Sequence, residues 1–470
     1  MKLRPYQEKG IAEIRELYRK GEKKVLLHLA TGGGKTVVFS YIMQKMAERG
    51  KRSIMVVRGR KLVDQASQRL FRENAYHGVM MAGHWNHQPL APIQICSIDT
   101  LRARRLRPPA DLIVLDEAHY AVSDSYKEFL ADYPNTNILA VTATPYTKQS
   151  LRHIADHIVK PITMKELIDQ GSLVRAKYYA PSSPDLSDVE ISKMTGDYNQ
   201  EQLAEVMSQS SLVGDVVDQW KKLGDNRPTV CFAVNVQHSK NIVQQFLQAG
   251  INAEHCDDKT TDKVRGEMLQ RLENGETKVI CNVGILSVGV DIPPLGCVSM
   301  ARPTKSYNLY IQQAGRGTRP FPGKDNFILL DHAGNVLRHG FITDEPEVDL
   351  DGKEPKNKTG IKTCPQCFAA YEGTACPECG VVAKEEGTGG GPREIIQITG
   401  ELQELMELPV EARIKRDIIV FTSDAKKKGY KKGWVYYQIV KKWGQSVADE
   451  HFKRREVPES IIFKRAHGVS

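Results

Sequence analysis

Short apolar runs alternate with amphipathic segments twice along the chain. The runs in the first half are KVLLHLA, RSIMVV, IQICSI, DLIVLDEA and NILAVTAT, and those in the second are PTVCFAV, TKVICNV, GCVSMAR and NFILLD. Continuous apolar strands that alternate with helices are typical of parallel sheets covered on both faces. The pattern predicts an α/β fold with two tandem parallel-sheet domains, residues 1–180 and 181–343, and a cleft between them.

The alternation stops after Asp331. Residues 344–361 are acidic, punctuated by Pro and Gly and poor in apolar residues, which predicts a linker. A cysteine-rich segment at 362–384, a Gly-rich flexible linker at 385–393 and a C-terminal segment at 394–470 follow. Two large domains with smaller appendices suit a chain of 470 residues.

Composition narrows the class of protein. Apolar residues make up 40% and charged residues 26% of the chain, which is ordinary for a globular protein. No apolar run approaches the roughly 18 residues of a membrane helix. The N-terminal MKLRPYQEKG has no apolar signal-peptide core. We therefore expect a cytoplasmic protein with no membrane partner.

The net charge of +9 is concentrated near the C-terminus, where residues 421–470 hold 12 Lys and Arg against 5 Asp and Glu. A basic tail predicts a polyanionic partner, although a solvated helical surface is the alternative. Aromatic residues that can stack on bases, or pack a small core, are interleaved with these lysines: Tyr430, Trp434, Tyr436, Tyr437 and Trp443.

A glycine-rich turn, ATGGGKT, stands between a predicted strand ending at Ala30 and a helix beginning near Lys35. Such a turn directs backbone N–H groups and the helix dipole at one point, which favours an anion. Lys35 would neutralise the β- and γ-phosphates of ATP, and the Thr36 hydroxyl would bind magnesium. Leu29 stands where the strict phosphate-loop motif has glycine, and a plain strand-to-helix turn is the alternative. The predicted cradle comprises Thr31, Gly32, Gly33, Gly34, Lys35 and Thr36.

The buried run LIVLDEAH delivers Asp116 and Glu117 to the end of a predicted strand. Asp116 would hold magnesium, usually through water, while Glu117 would position and deprotonate the attacking water. Their place 80 residues after the phosphate loop supports this interpretation.

The run IQQAGRGTR contains Gln312, Arg316 and Arg319, and we expect both arginines to point the same way from one helix start. Arginine is planar, always ionised and multidentate, which suits the charge that develops on a transferring phosphoryl group. Such arginines increase hydrolysis rates by about 10³–10⁵. Because they come from the second domain, domain closure and hydrolysis would depend on each other; a surface helix is the alternative.

Six motifs in order resemble those of superfamily 2 helicases of the DEAH type, over about residues 3–335: LRPYQ (3–7), ATGGGKT (30–36), DEAH (116–119), TAT (142–144), NVGILSVGVDIP (282–293) and QQAGRGTR (312–319). The resemblance implies two RecA-like domains and ATP-dependent work on nucleic acid. It implies that Gln7, with Arg4 nearby, contacts adenine, and that Thr142 and Thr144 couple hydrolysis to motion.

The same resemblance implies that Gly289 and Asp291 line the nucleotide cleft from the second domain, near the ribose. It also places VVRGRKLVDQ (56–65) and SIDTL (97–101) along the nucleic-acid track. Candidate phosphate contacts there, for which a solvated helix surface is an equal alternative, are Arg58, Arg60, Lys61 and Gln65.

Two Cys-x-x-Cys pairs, separated by eight residues, form CPQCFAAYEGTACPEC. Four thiolates satisfy a closed tetrahedral zinc site, and a segment this small cannot build a core without the metal. An iron–sulfur cluster is the alternative. The predicted structural zinc ligands are Cys364, Cys367, Cys376 and Cys379.

Two motor domains, a zinc ribbon and a basic helical tail are together similar to the RadD family of bacteria and its phage-borne relatives. That similarity implies a bacterial or phage-infected cell, single-stranded, forked or branched DNA as the partner, and other replication or recombination proteins. The alternatives are an RNA helicase, the motor subunit of a restriction system, and an ATP-switched accessory protein that remodels DNA without processive unwinding.

Overall fold

The computed structural model describes residues 3–147, 149–180, 184, 186–192, 195–207, 210–287, 292 and 294–352, and beyond them 361–363, 370–372, 403–405, 418, 421–422, 425, 433–443, 448 and 452. The chain forms two compact units, residues 1–359 with 392–404, and residues 360–391 with 405–470. Within the described part of the chain, no helix is long and apolar enough to cross a bilayer.

The first lobe of the larger unit is a parallel sheet covered by helices on both faces. Side chains alternate between faces along a strand, so Leu27 packs with α1–α3 while Leu26 packs with α4 and α5. In chain order the elements are α1 (Pro5–Arg19), β1 (Lys24–His28), α2 (Lys35–Ala47), β2 (Ser53–Val57), α3 (Arg60–Arg72), β3 (His77–Met80), β4 (Ile93–Ser97), α4 (Ile98–Ala103), β5 (Leu112–Asp116), α5 (Asp124–Ala131), β6 (Asn137–Thr142), β7 (His157–Val159) and α6 (Met164–Asp169). The sheet order is β3-β4-β2-β5-β6-β1-β7.

The second lobe repeats the scheme around a core that includes Trp220, Phe246 and Ile328. Its elements are β8 (Arg175–Ala180), α7 (Gln200–Met207), α8 (Ser210–Leu223), β9 (Thr229–Phe232), α9 (Val236–Gln248), β10 (Ala253–Cys256), α10 (Asp262–Glu273), β11 (Val279–Asn282), β12 (Cys297–Met300), α11 (Tyr307–Ala314), β13 (Asn326–Asp331) and α12 (Asn335–His339). The order β10-β11-β9-β12-β13-β8 is parallel, and β16 (Gln403–Leu405) joins beside β8.

The two predicted parallel sheets are confirmed, and the position of the boundary between them differs. β8 lies within the predicted first domain, yet it pairs with β13, from Arg175 beside Asn326 to Tyr179 beside Leu330. By sheet membership the first lobe therefore ends before Arg175. A strand of this length carries no sign of its partner, because the pairing joins segments about 150 residues apart.

Residues 344–352, which we call the strap, differ from the predicted linker because they pack on the first lobe. Leu350 is buried in the first-lobe core, and its carbonyl accepts a hydrogen bond from Leu151 N at 2.7 Å. Tyr146 Oη donates to Pro346 O at 2.9 Å, and Glu345 Oε1 accepts from Met164 N at 2.7 Å. Apolar residues alternate with acidic ones in EVDLD, a pattern that suits a half-buried extended segment.

In the smaller unit, β14 (Ile361–Thr363) and β15 (Ala370–Glu372) pair antiparallel, and the described residues include helix α13 (Gly433–Trp443). Trp434 packs edge-on against Phe421, and Tyr436 packs edge-on against Phe452. These two rings of the tail therefore contribute to packing, whereas Tyr437 is 48% exposed.

Candidate functional site

Three neighbouring strands of the first lobe bring the predicted nucleotide residues to one edge. β5, β6 and β1 are adjacent and parallel. Residues 30–36 follow the carboxyl end of β1, Glu117 follows that of β5, and Ala143 and Thr144 follow that of β6. Open α/β sheets bind ligands at this edge. The fold thus places the motifs close together although up to 114 residues separate them in sequence.

The glycine-rich turn has the geometry of a phosphate cradle. Gly32 and Gly34 have φ of 82° and 83°, values that favour glycine. Gly34 is the N-cap of α2, has no side chain to cap it, and would collide with Gln7 Nε2 if it carried a Cβ. The first-turn N–H groups of α2 are therefore available to an anion.

The beginning of α1 supports this turn from the other side. Gln7 Nε2 donates to Gly33 O at 3.2 Å, and Tyr6 Oη donates to the same carbonyl at 2.9 Å. Arg4 donates to Tyr6 Oη at 3.2 Å and through its backbone N–H to Gln7 Oε1. Arg4 and Gln7 thus lie against the phosphate loop. Tyr6 was missed, because a tyrosine in the first turn of an amphipathic helix looks like an ordinary core residue.

Asp116 and Glu117 form a buried acidic pair beside the loop. Burial raises the pKa of the Asp116 carboxyl, the charge of Glu117 raises it further, and Lys35 opposes both. Glu117 has φ of 48°, a left-handed conformation that is uncommon for non-glycine residues and that clusters at functional sites. Its Oε2 lies 3.5 Å from His119 Nδ1 and accepts no hydrogen bond from a described residue.

These groups fit a magnesium ion. Magnesium prefers carboxylate, hydroxyl and phosphate oxygens, and Thr36 in the first turn of α2 supplies a hydroxyl next to the cradle. A cation near Asp116 would restore the ionised carboxylate that burial disfavours. Among the residues that the structure describes, no group of three or more His, Cys, Asp or Glu side chains is arranged to hold a metal by itself.

A line of close polar contacts leads from the acidic pair to the second lobe. His119 Nδ1 lies 3.0 Å from Thr142 Oγ1, which accepts a hydrogen bond from Thr144 N at 3.1 Å. Gln312 Nε2 in turn donates to Thr144 Oγ1 at 3.5 Å. Burial lowers the pKa of His119, and the charge of Glu117 opposes that shift. The predicted residues Thr142, Thr144 and Gln312 are therefore brought together.

The arginine motif follows the end of α11, which corrects our expectation of a helix start. Gly315 is the C-cap of α11, and the turn after it lies against the phosphate loop: a Cβ on Gly315 would be 3.0 Å from Thr31 Cβ. Arg316 is buried and its Nε donates to Ser287 O at 3.0 Å, within the second lobe. Arg319 is half-buried, and its carbonyl accepts from Lys324 Nζ at 2.8 Å.

Two further hydrogen bonds and one contact between rings cross the cleft. Asn308 Nδ2 donates to Tyr146 O at 2.6 Å, and the Tyr146 ring meets that of Tyr307 edge-on at 5.0 Å. Lys61 Nζ donates to Ile285 O at 3.0 Å, and burial lowers its pKa. Spacing could not have shown these pairs, because their members are 162 and 224 residues apart.

The predicted nucleic-acid residues begin at the carboxyl ends of two adjacent strands, β2 and β4. Arg58 is exposed at the end of β2, and Arg60 donates to Ala82 O at 3.0 Å. Gln65 is half-buried on α3. In the second predicted segment, Ile98, Thr100 and Leu101 are buried on α4. Among the predicted phosphate contacts at this edge, Arg58 and Arg60 are thus the exposed cations.

Some predicted residues lie outside the described residues. Gly289 and Asp291 fall in one such stretch, next to Ser287. The same holds for the predicted zinc ligands, which are Cys364, Cys367, Cys376 and Cys379.

Each of the two lobes matches a known protein family. Residues 1–147 match the family model "Type III restriction enzyme, res subunit", and residues 211–320 match "Helicase conserved C-terminal domain". A 51.5 kDa protein of a Lactococcus phage is 30% identical over 72% of this chain and 74% of its own length. A Saccharomyces cerevisiae protein that is named as an ATP-dependent helicase, IRC3, is 30% identical over 71% of this chain. This chain spans only about half (51%) of the yeast protein.

Solved structures show the same fold. The DNA-bound Type ISP restriction-modification enzyme LlaBIII matches 71% of this chain and 28% of its own, with a TM-score of 0.55 and 17% identity. The HsdR fragment of a type I restriction enzyme from Vibrio vulnificus matches 74% of this chain and 66% of its own, with a TM-score of 0.56 and 19% identity. The chain belongs to superfamily 2 of the ATP-hydrolysing helicases, because it combines the six motifs, the two matched domains and the similarity to the phage protein.

Proposed function

We propose that this chain is an ATP-dependent DNA helicase or translocase that couples ATP hydrolysis to unwinding or remodelling of DNA. The contact between Gly315 and Thr31 carries the proposal, because it sets a turn of the second lobe directly on the phosphate loop. Through this contact, a nucleotide that binds the loop would act directly on the position of the second lobe. A motor needs this coupling of chemistry to motion.

In the proposed reaction, the amides of residues 31–34 and Lys35 bind the phosphates of ATP. Thr36 and Asp116 would hold magnesium, which neutralises phosphate charge when bound. Glu117 positions the attacking water and takes its proton. Its buried Oε2, which accepts no hydrogen bond from a described residue, suits that role. Gln7, with Arg4 nearby, would contact the adenine, and Gly289 and Asp291 would lie near the ribose.

The second lobe contributes the groups that act on the developing charge. Gln312 already contacts Thr144 across the cleft, and we assign Thr142 and Thr144 to coupling hydrolysis to motion. Arg316 and Arg319 are the proposed cationic residues. The Nε of Arg316 donates to Ser287 O, which holds the side chain within the second lobe. Its guanidinium has five N–H donors, so others are left for a phosphate.

The accessory segments are proposed to engage DNA. β14 and β15 flank the first cysteine pair in sequence, an arrangement that suits a zinc ribbon. The basic tail supplies cations for phosphates. Single-stranded, forked or branched DNA is the proposed substrate, in repair, recombination or replication, with other proteins of those processes as partners.

The motor subunit of a restriction system is the second candidate. The endonuclease subunit of the Escherichia coli enzyme EcoKI is 23% identical over 70% of this chain, which spans 34% of that subunit. Expression with neighbouring genes, followed by co-purification of a nuclease or modification subunit, would favour this candidate.

ATP hydrolysis by the purified chain, with matched single-stranded DNA, forked duplex and RNA, tests the proposal. We expect DNA to stimulate turnover more than RNA does, and Lys35→Ala to abolish the stimulated rate. Strand displacement on forked duplexes then separates unwinding from translocation. Equal stimulation by RNA, or none by any DNA, would contradict the DNA assignment.

A further inference from the structure

An exposed pair of stacked rings lies on the first lobe. Trp85 is 77% exposed, and its ring stacks on that of Phe71, which is itself 42% exposed. The centroids are 5.3 Å apart and the planes differ by 13°. Tryptophan normally buries most of its large apolar surface. We call Phe71 and Trp85 the aromatic platform.

The platform is held by an anchored loop. Asn86 O accepts a hydrogen bond from Val79 N at 2.8 Å, and Asn86 Nδ2 donates to His77 O at 3.1 Å, so the loop runs beside edge strand β3. His84 stacks beside Trp85 with centroids 5.7 Å apart, and its Nε2 lies 3.1 Å from Asp64 Oδ1 on α3. A ring presented in a fixed position loses little entropy when a ligand binds.

The segment that runs from the start of α3 to the platform carries a net positive charge. Residues 58–90 contain five Lys and Arg against two Asp and Glu, with Arg69 paired to Glu73. Phe71 lies eleven residues after Arg60 on α3, about 16 Å along the helix axis. A stacked strand covers that distance in about five nucleotides. Aromatic faces beside cations at this spacing suit bases that stack while phosphates pair.

We propose that the aromatic platform stacks an unpaired nucleobase of the strand whose phosphates bind at the start of α3. The proposal rests on the proposed nucleic-acid function and specifies it. The ligand of this surface is a single-stranded nucleotide, because a base inside a duplex has no free face for a ring.

The test compares Trp85→Ala with wild type on two oligonucleotides of equal length, one with normal bases and one with abasic sites. We expect Trp85→Ala to weaken binding of the normal strand by about five- to a hundredfold and the abasic strand by less than twofold. Trp85→Phe should keep most of the affinity because it keeps a ring. Leu90→Ala is the matched control, since Leu90 is 83% exposed in the same loop and has no ring.

Equal weakening on both strands, or on neither, would overturn the stacking proposal. If the Trp85→Ala variant binds DNA as wild type does but loses a co-purifying protein, the platform is a site of protein docking instead. The two proposals can fail separately: a wild-type chain that binds DNA with no Trp85 effect refutes only the platform, whereas a wild-type chain that binds no nucleic acid refutes the proposed function.

Discussion

Gly315 of the second lobe is in contact with Thr31 of the phosphate loop: a Cβ built on Gly315 would lie 3.0 Å from both Thr31 Cβ and Cγ2. The same Cβ would lie 2.7 Å from Ile311 O, so neither side has room for a methyl group. A ligand that changes the conformation of the phosphate loop therefore acts on the second lobe through this direct contact. No long chain of intervening residues is needed.

Substituting Gly315 by alanine should force the turn away from the phosphate loop. Displacement of catalytic groups by about 1 Å costs on the order of 10²-fold in rate, so we expect Gly315→Ala to reduce ATP turnover by about that factor. Gly266→Ala is the control, because a Cβ there meets no atom within 4 Å. Steady-state hydrolysis measures both, and wild-type turnover by Gly315→Ala would show that the contact is dispensable.

Glu117→Gln should keep ATP binding and lose hydrolysis, since the amide retains shape and loses the proton acceptor. General bases contribute about 10²–10⁴ in rate. Asp124→Asn makes the same chemical change at a carboxylate that is 89% exposed, and it should have little effect. Nucleotide binding and single-turnover hydrolysis separate the two steps; substantial turnover by Glu117→Gln would rule out the assigned role.

Magnesium dependence should vary with pH in a defined direction. Because burial raises the pKa of Asp116, more of this carboxyl is protonated as the pH falls toward that pKa, and metal binding requires the ionised form. More free magnesium should be needed for half-maximal nucleotide binding at pH 6 than at pH 8. The Asp116→Asn variant has no carboxyl that titrates at this position. Its magnesium requirement should therefore vary with pH only as far as ATP itself titrates. The opposite trend in wild type would exclude Asp116 as a ligand.

The strap should stabilise the first lobe mainly through Leu350, which is 5% exposed. Leu350→Ala should lower the free energy of unfolding by about 2–5 kcal/mol. The ion pair between Arg152 and Asp351 is 52% and 57% exposed, so Arg152→Ala should cost at most about 1 kcal/mol. Urea denaturation gives the ranking, and a larger effect of Arg152→Ala would mean that charge, not burial, holds the strap.

Removal of residues 406–470 should weaken DNA binding and reduce its salt dependence, because the tail carries most of the net charge. Truncation at this point leaves β16 in the second sheet. Each lost phosphate contact lowers the salt slope by about 1. An unchanged slope would assign the tail to packing, consistent with the contacts of Trp434 and Tyr436.

Local pattern was sufficient for much of the fold and the nucleotide cradle. The apolar runs became strands, and the turn before Lys35 adopts the positive φ that its glycines allow. The apolar pattern of a strand and the glycines of a turn both lie within a few residues, so a short window of sequence reveals them. The order of motifs along the chain added the family, because six short patterns in sequence are far more specific than any one of them.

Tertiary packing alone decided how distant segments meet. The contact of Gly315 with Thr31, the seating of Leu350 in the first lobe, the pairing of β8 with β13 and the stacking of Trp85 on Phe71 leave no mark in spacing. The free energy of such contacts depends on which surfaces are brought together, and the same side chain is a core residue or an exposed platform according to its neighbours. For that reason a motif names the chemistry, whereas the docking of the lobes determines which residues can perform it together.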